Sequence, residues 1–177
     1  MSRPKPPQPA KLVISMFMHD RQAVAPVIGD LCDDLGAVDM VSPWMRFNHT
    51  KYYTPEMGSP LYRRMVVFRK LIEQQDLADI KHHTNRLEAR YTDSGRRRVN
   101  IDPGYMLPER FVLATGKNYS HRIFIGKGIY ADLTLVYHSG SFQPLEWTYP
   151  DYREDRMRSY LNATRRKYLD DLQRGNR

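Results

Sequence analysis

An α+β fold is predicted from this sequence: a ferredoxin-like βαββαβ core extended by a C-terminal β-hairpin and helix. Three observations carry the prediction. Short runs of β-forming residues alternate with stretches whose apolar residues recur at helical spacing, in the order β-α-β-β-α-β. Residues 129–138 alternate like a half-buried strand. The C-terminal segment returns to a helical apolar stripe.

Each element has its own reason. Lys11 to Met18 is an apolar run rich in β-formers and reads as a buried strand. Val24, Val27, Ile28, Leu31 and Leu35 follow at helical spacing, with Gly36 as the stop. Asp39 to Phe47 reads as a second strand, and Pro55, Gly58 and Pro60 make 48–60 a loop. Leu61 to Leu71 is a third strand. Asp76 caps a second helix striped by Leu77, Ile80 and Leu87, which Ser94-Gly95 breaks. Arg96 to Ile101 is a fourth strand, ended by a turn at Asp102-Pro103-Gly104. His121–Ile125 and Ile129–His138 form a hairpin around Gly126-Lys127-Gly128, with Ile129, Ala131, Leu133, Leu135 and Tyr137 on one face. Ser139-Gly140 turns into a short strand near Phe142. Thr148 then caps the final helix, with Pro150 in its first turn and Met157, Leu161, Tyr168 and Leu172 on its buried side.

The 177 residues suit a single domain over 11–177, preceded by a flexible arm, 1–10, that holds four prolines. No run of about 18 apolar residues exists, which excludes a membrane-spanning helix. The N-terminus lacks the apolar core of a secretory signal. The single Cys32 cannot form an internal disulfide and is expected to be buried, which suits a reducing cytoplasm. A net charge of +8 and a pI near 9.6 raise the odds of an anionic partner, whether RNA, DNA, a nucleotide or an acidic protein. Nothing in the sequence sets the oligomeric state or names a cofactor.

Polar groups able to hold an anion crowd into residues 99–153. Gly116 frees the backbone to approach a ligand, and Lys117, Asn118, Ser120, His121 and Arg122 supply donors suited to phosphate or carboxylate. The plain alternative is a solvated loop entering a strand. The P-loop spacing fails, because Phe111 stands where its first glycine belongs, and no Asn-Lys-x-Asp guanine motif is present. Asn100 and Asp102 share one side of a strand and are placed to orient a water or hold a metal. Asp132, mid-strand among apolar neighbours, must be paired or functional. A salt bridge with Arg122, Lys117 or Lys127 is the plain explanation, and general-base or metal chemistry the sharper one. Tyr130, Tyr149 and Tyr152 offer faces for stacking on a base or sugar, although the aromatics near the last helix also suit a hydrophobic staple. Trp44 to Tyr53, with Tyr62-Arg63-Arg64, interleaves aromatic and basic residues as a nucleic-acid surface does, and a flexible lid has the same composition. The six histidines show no metal-ligand spacing.

Four motifs together, Asn-x-Asp-Pro-Gly (100–104), Leu-Ala-Thr-Gly-Lys-Asn-Tyr-Ser-His-Arg-Ile (113–123), Gly-Ile-Tyr-Ala-Asp-Leu-Thr-Leu (128–135) and Thr-Tyr-Pro-Asp-Tyr (148–152), resemble an uncharacterised prokaryotic family, the domain of unknown function 4416. The resemblance covers nearly the whole chain after the arm. It implies a small cytoplasmic protein of unestablished activity. Members often carry the label "GTP-binding protein", whose nucleotide motifs this sequence lacks.

The leading expectation is a pocket in 100–153 for a phosphate-bearing ligand, a nucleotide or RNA, held by Lys117, His121, Arg122 and Lys127 and oriented by Asp102 and Asp132. The second is an enzyme with Asp132 as base and His121 as acid on a phosphorylated or carboxylated small molecule. The third is a protein-interaction module whose basic helix and arm dock on an acidic partner.

Overall fold

The central strand β1, Ala10–Met18, is buried along its whole length. A continuous apolar run with both faces covered is what a strand needs when helices pack on both sides of its sheet. The computed structural model describes residues 3–175; Met1 and Ser2 of the expected arm, and Asn176 and Arg177, lie outside them. After β1 come α1 (Val24–Leu35), β2 (Val38–Val41), β3 (Met45–Phe47), α2 (Thr54–Met57), β4 (Leu61–Ile72), α3 (Leu77–Arg90), β5 (Thr92–Asp93) and β6 (Arg96–Arg97). Next are β7 (Val99–Leu107), β8 (Arg110–Thr115), β9 (Arg122–Gly126), β10 (Ile129–His138), β11 (Ser141–Pro144), α4 (Pro150–Arg153) and α5 (Asp155–Gly175).

The result is an α+β chain built on one large antiparallel sheet. Its order is β11-β10-β8-β7-β1-β4-β2, with β3 on β4 and β9 on β10. Leu12, Ile14, Met16 and Met18 of β1 pack with Val27 and Leu31 of α1 and Ile80 and Leu87 of α3. On the opposite face, Val13, Met65, Val67 and Phe111 pack with Tyr152, Met157, Leu161 and Tyr168. The helical stripes expected around 24–35, 77–87 and 157–172 are therefore the ones that cover the sheet. No helix among the described residues is long and apolar enough to cross a membrane.

Several expectations are corrected. Asp102-Pro103-Gly104 is not a turn: it runs through the middle of β7, opposite Ser15, Ile14 and Val13 of β1. The proline is tolerated because of where its nitrogen points. The Ile101 N–H donates to a side chain, Glu88 Oε1, and the nitrogen two residues on faces the same way. Strand β8 pairs with β7 only from Gly104 onward, so no ladder bond is lost at Pro103. The strand β8 has no counterpart among the expected elements. The expected 39–47 strand is two strands separated at Ser42-Pro43-Trp44, where the Ser42 N–H donates to Met65 O at 2.9 Å and Ser42 Oγ accepts from Met65 N at 3.0 Å.

In β10 a bulge between Leu133 and Leu135 reverses the alternation, as an extra residue must. Ala131 and Leu133 pack in the cluster around Leu77 and Tyr105, whereas Leu135 and Tyr137 join the α5 side. Thr148 caps no helix; its hydroxyl donates to Thr134 O at 2.6 Å, and the final helix is broken at Glu154, whose backbone is extended. Asp76 sits at the N-cap of α3 without a side-chain cap bond. Ala10 belongs to β1 rather than to the arm, and Cys32 is partly exposed, not buried.

Candidate functional site

Where β8 leaves β7, the outer edge of β7 near Ile101 has no strand beside it, and α3 fills the gap. Glu88 Oε1 accepts the Ile101 N–H at 2.6 Å, and Lys81 Nζ donates to Ile101 O at 3.1 Å. Side chains thus complete the ladder that a strand would otherwise complete. Lys81 also donates to Asp102 Oδ1 at 2.9 Å, and Asn100 Nδ2 to Asp102 Oδ2 at 2.6 Å. Arg97 ties this group to the 48–60 loop. It reaches Glu56 Oε2 at 3.0 Å, Glu88 Oε2 at 2.8 Å and Asn100 Oδ1 at 2.9 Å. Asn100 and Asp102 lie on one side of β7, as their spacing predicts, and both are bound into this network.

A second cluster stands on β9 and β10. Asp132, 5 % exposed, receives Arg122 Nε at 2.9 Å and lies 3.3 Å from His121 Nε2, while Thr134 Oγ1 donates to its other oxygen at 3.2 Å. The ion pair with Arg122 is among those the sequence suggested. Arg122 further donates to Lys117 O at 3.0 Å and to Tyr149 OH at 3.1 Å. His121 stacks on Trp147 at 5.0 Å and meets Tyr119 at 5.2 Å. The break in the edge between β9 and β11 is sealed by Trp147 Nε1, which donates to Leu133 O at 2.8 Å.

The Tyr52–Tyr53 pair, edge to face at 5.0 Å, joins the two clusters, with the Arg97 guanidinium 6.0 Å from the centre of the Tyr53 ring. Burial, followed by the Asp102 charge, pushes the Tyr53 phenol up to about 12, with Tyr149 acting in the same direction and Arg97 and Arg63 against it. The phenol is therefore neutral across the physiological range. Its neighbour Tyr52 reaches across to the other cluster, with Lys117 Nζ 5.0 Å from the centre of its ring. The sequence did not reveal this meeting of the 48–60 loop with the 117–122 loop; the interleaved aromatic and basic residues of 44–53 were its only signal.

Lys117, Arg122, His121, Asp132 and Tyr149 are brought together, with Asn118 and Ser120 exposed on the same loop. Three further candidates stand apart. Lys127 sits at the tip of the β9–β10 hairpin and pairs with Asp79 at 2.5 Å. Tyr130 packs edge-on against Phe124 at 5.4 Å. Tyr152 is 3 % exposed, 6.0 Å from Phe111 and 5.0 Å beneath the Arg63 guanidinium, so it presents no open face on which a ligand ring can stack. Among the described residues, no group of three or more His, Cys, Asp or Glu side chains is gathered to hold a metal ion.

Both ends of this arrangement carry the motifs singled out in the sequence. The chain belongs to the family described as Domain of unknown function (DUF4416), whose family model matches residues 8–168. No match was found among curated proteins or among solved structures.

Proposed function

We propose that this family member binds a phosphate-bearing ligand, a nucleotide or an RNA end, at the rim formed by residues 117–122, Tyr52 and Tyr149. The observation that carries this reading is a cation set among open rings. Lys117 forms no ion pair among the described residues and lies against Tyr52, while Tyr52, Tyr119 and Tyr149 are 69 %, 65 % and 52 % exposed. Exposed aromatic faces beside a free ammonium suit a base next to a phosphate. In this reading Lys117 and Arg122 meet the anion, Asn118 and Ser120 add donors, and Asp132 holds Arg122 and His121 in place. The cytoplasm is the compartment that the reading assumes.

The fold supports a ferredoxin-like core within a single domain over 11–177. Strands β7-β1-β4-β2 are neighbours in that order, and α1 and α3 share one face. Strands β8 to β11 then extend the β7 side.

Lys117→Ala tests the site at little structural cost, since the side chain is exposed and unpaired. Titration with a fluorescent ribonucleotide and with labelled single-stranded RNA is expected to show about tenfold weaker binding, worth about 1.4 kcal/mol, at unchanged Tm. RNA would bind with a steep salt dependence and a single nucleotide with a shallow one. Wild-type affinity in Lys117→Ala contradicts the reading.

One observation favours acid–base chemistry as a second reading: His121 sits 3.3 Å from Asp132 Oδ2 and is stacked on Trp147. A carboxylate behind an imidazole orients it as a proton carrier, so the roles become His121 as acid–base and Asp132 as its support. Under this reading His121→Gln abolishes turnover of a phosphorylated substrate and leaves its binding intact.

A further inference from the structure

Strand β9 lines an open margin of the large sheet, since β10 is its only strand partner among the described residues. Two neighbouring bonds fix which of its backbone groups face outward. The Arg122 N–H donates to Tyr119 O at 3.0 Å, so it points away from β10. The Leu133 carbonyl of β10 faces the same margin, where Trp147 meets it at 2.8 Å. In an antiparallel ladder these directions alternate. Ile123 and Ala131, opposite each other, therefore exchange their bonds, and the N–H and C=O of Phe124 both face out.

Other open stretches of strand in this protein are closed by side chains. Glu88 and Lys81 meet Ile101, Trp147 meets Leu133, and Asn162 accepts the Phe142 N–H at 3.0 Å. No group among the described residues does this for Phe124. The strand also shows apolar surface beside that open backbone, with Ile123 72 % and Phe124 59 % exposed. Natural edge strands are guarded by free charge or proline. Here the two cations of the hairpin, Arg122 and Lys127, are each balanced within the chain, by Asp132 and Asp79.

We propose that β9 docks on β9 of a second copy of this chain, antiparallel, about a two-fold axis at Phe124. Such a contact needs a self-complementary surface, and this strand supplies one. Phe124 faces its counterpart, exchanges two backbone hydrogen bonds with it and adds an aromatic cross-strand pair. Ile123 faces Ile125, and Arg122 faces Gly126, so no like charges are opposed. The contact is independent of the phosphate-site reading.

Sedimentation velocity of the full chain between about 5 and 500 μM tests it, since a contact this small falls at the weak end of interfaces. The wild-type protein is expected to move from one chain, 20.9 kDa, towards two as concentration rises. Phe124→Lys and Phe124→Glu each oppose two like charges across the axis and are expected to weaken self-association by roughly tenfold or more. An equimolar mixture of the two variants is expected to pair again, because their charges then meet as opposites. Wild-type protein that stays a monomer at the highest concentration overturns the inference. So does wild-type self-association in either variant, and so does a mixture that stays monomeric. Amide hydrogen exchange of the wild-type protein decides the matter even if neither variant folds. The Phe124 N–H is expected to exchange about threefold more slowly or less at the highest concentration than at the lowest, and an unchanged rate overturns the inference.

Discussion

Lys11→Ala is expected to cost about 3–5 kcal/mol of stability, the range found when one partner of a buried ion pair is removed. Lys11 is fully buried and donates to Asp39 Oδ2 at 2.7 Å and Asp171 Oδ2 at 2.6 Å. Lys167 completes the group through Asp39, at 3.2 Å, and Asp171. Two ammonium groups balance two carboxylates, and these ties join β1 to β2 and to the end of α5. Without Lys11, one negative charge is left in a site with little access to water. The double variant Lys11→Met/Asp39→Leu keeps only the Lys167–Asp171 pair on α5 and is expected to recover most of the loss, since apolar replacement of a whole buried pair is often neutral. Urea denaturation reads both. A loss under about 1 kcal/mol in Lys11→Ala would assign this group the weight of a surface pair.

The same group sets an acid limit. Burial pushes the Asp39 and Asp171 carboxyls up, but hydrogen bonds from Lys11 and Lys167 outweigh it and hold both below the ordinary value. A depressed carboxyl contributes stability that is fully present above its unfolded value, near pH 4, and is lost as pH falls through the folded value. The wild-type protein should therefore lose stability below about pH 4 more steeply than Lys11→Met/Asp39→Leu does.

The helices were legible because periodicity is local. Val24 to Leu35 carries both its apolar stripe and its stop at Gly36, whose φ is +89°. The strands were less so. The β7–β8 region was hidden because Asp-Pro-Gly has turn chemistry in its residues, whereas its actual role depends on a neighbour that begins pairing one residue later. The β10 bulge was hidden for the same kind of reason: the two-residue alternation continues in the sequence, and only the partner strand shows the slip. In the candidate site, the short-range group Lys117–His121–Arg122 with Asp132 was readable, since a hairpin brings residues about ten apart into register. Tyr52 against Lys117, and Lys81 with Glu88 filling the edge of β7, are products of long-range packing with no local pattern. Charge alone suggests Lys127 for the anion site, but a hairpin tip points away from the strand pair it joins.

Gly104 shows how the Asp-Pro-Gly motif acts, and its replacement is the second large effect expected. A Cβ at this position would lie 2.4 Å from Val112 O and 2.9 Å from Leu113 Cδ2. The first obstacle is backbone carbonyl in β8, so no side-chain rotation relieves it. The strand pair must part or shear, at a cost of about 1–3 kcal/mol or more, which corresponds to roughly 2–4 °C of Tm per kcal/mol in a chain of this size. Gly116, just past the end of the same strand, has open space within 4 Å of the position a methyl group would take, and Gly116→Ala is expected to be nearly silent. Strand β8 leads directly into the loop bearing Lys117, whose backbone N–H donates to Thr115 Oγ1 at 3.2 Å. Displacing β8 therefore moves the anion-binding loop as well, so Gly104→Ala should weaken ligand binding even at temperatures where the protein stays folded. Equal Tm values for Gly104→Ala and Gly116→Ala would mean that β7 and β8 are not in close contact at this point. The site would then lack the rigid base on which its loop stands.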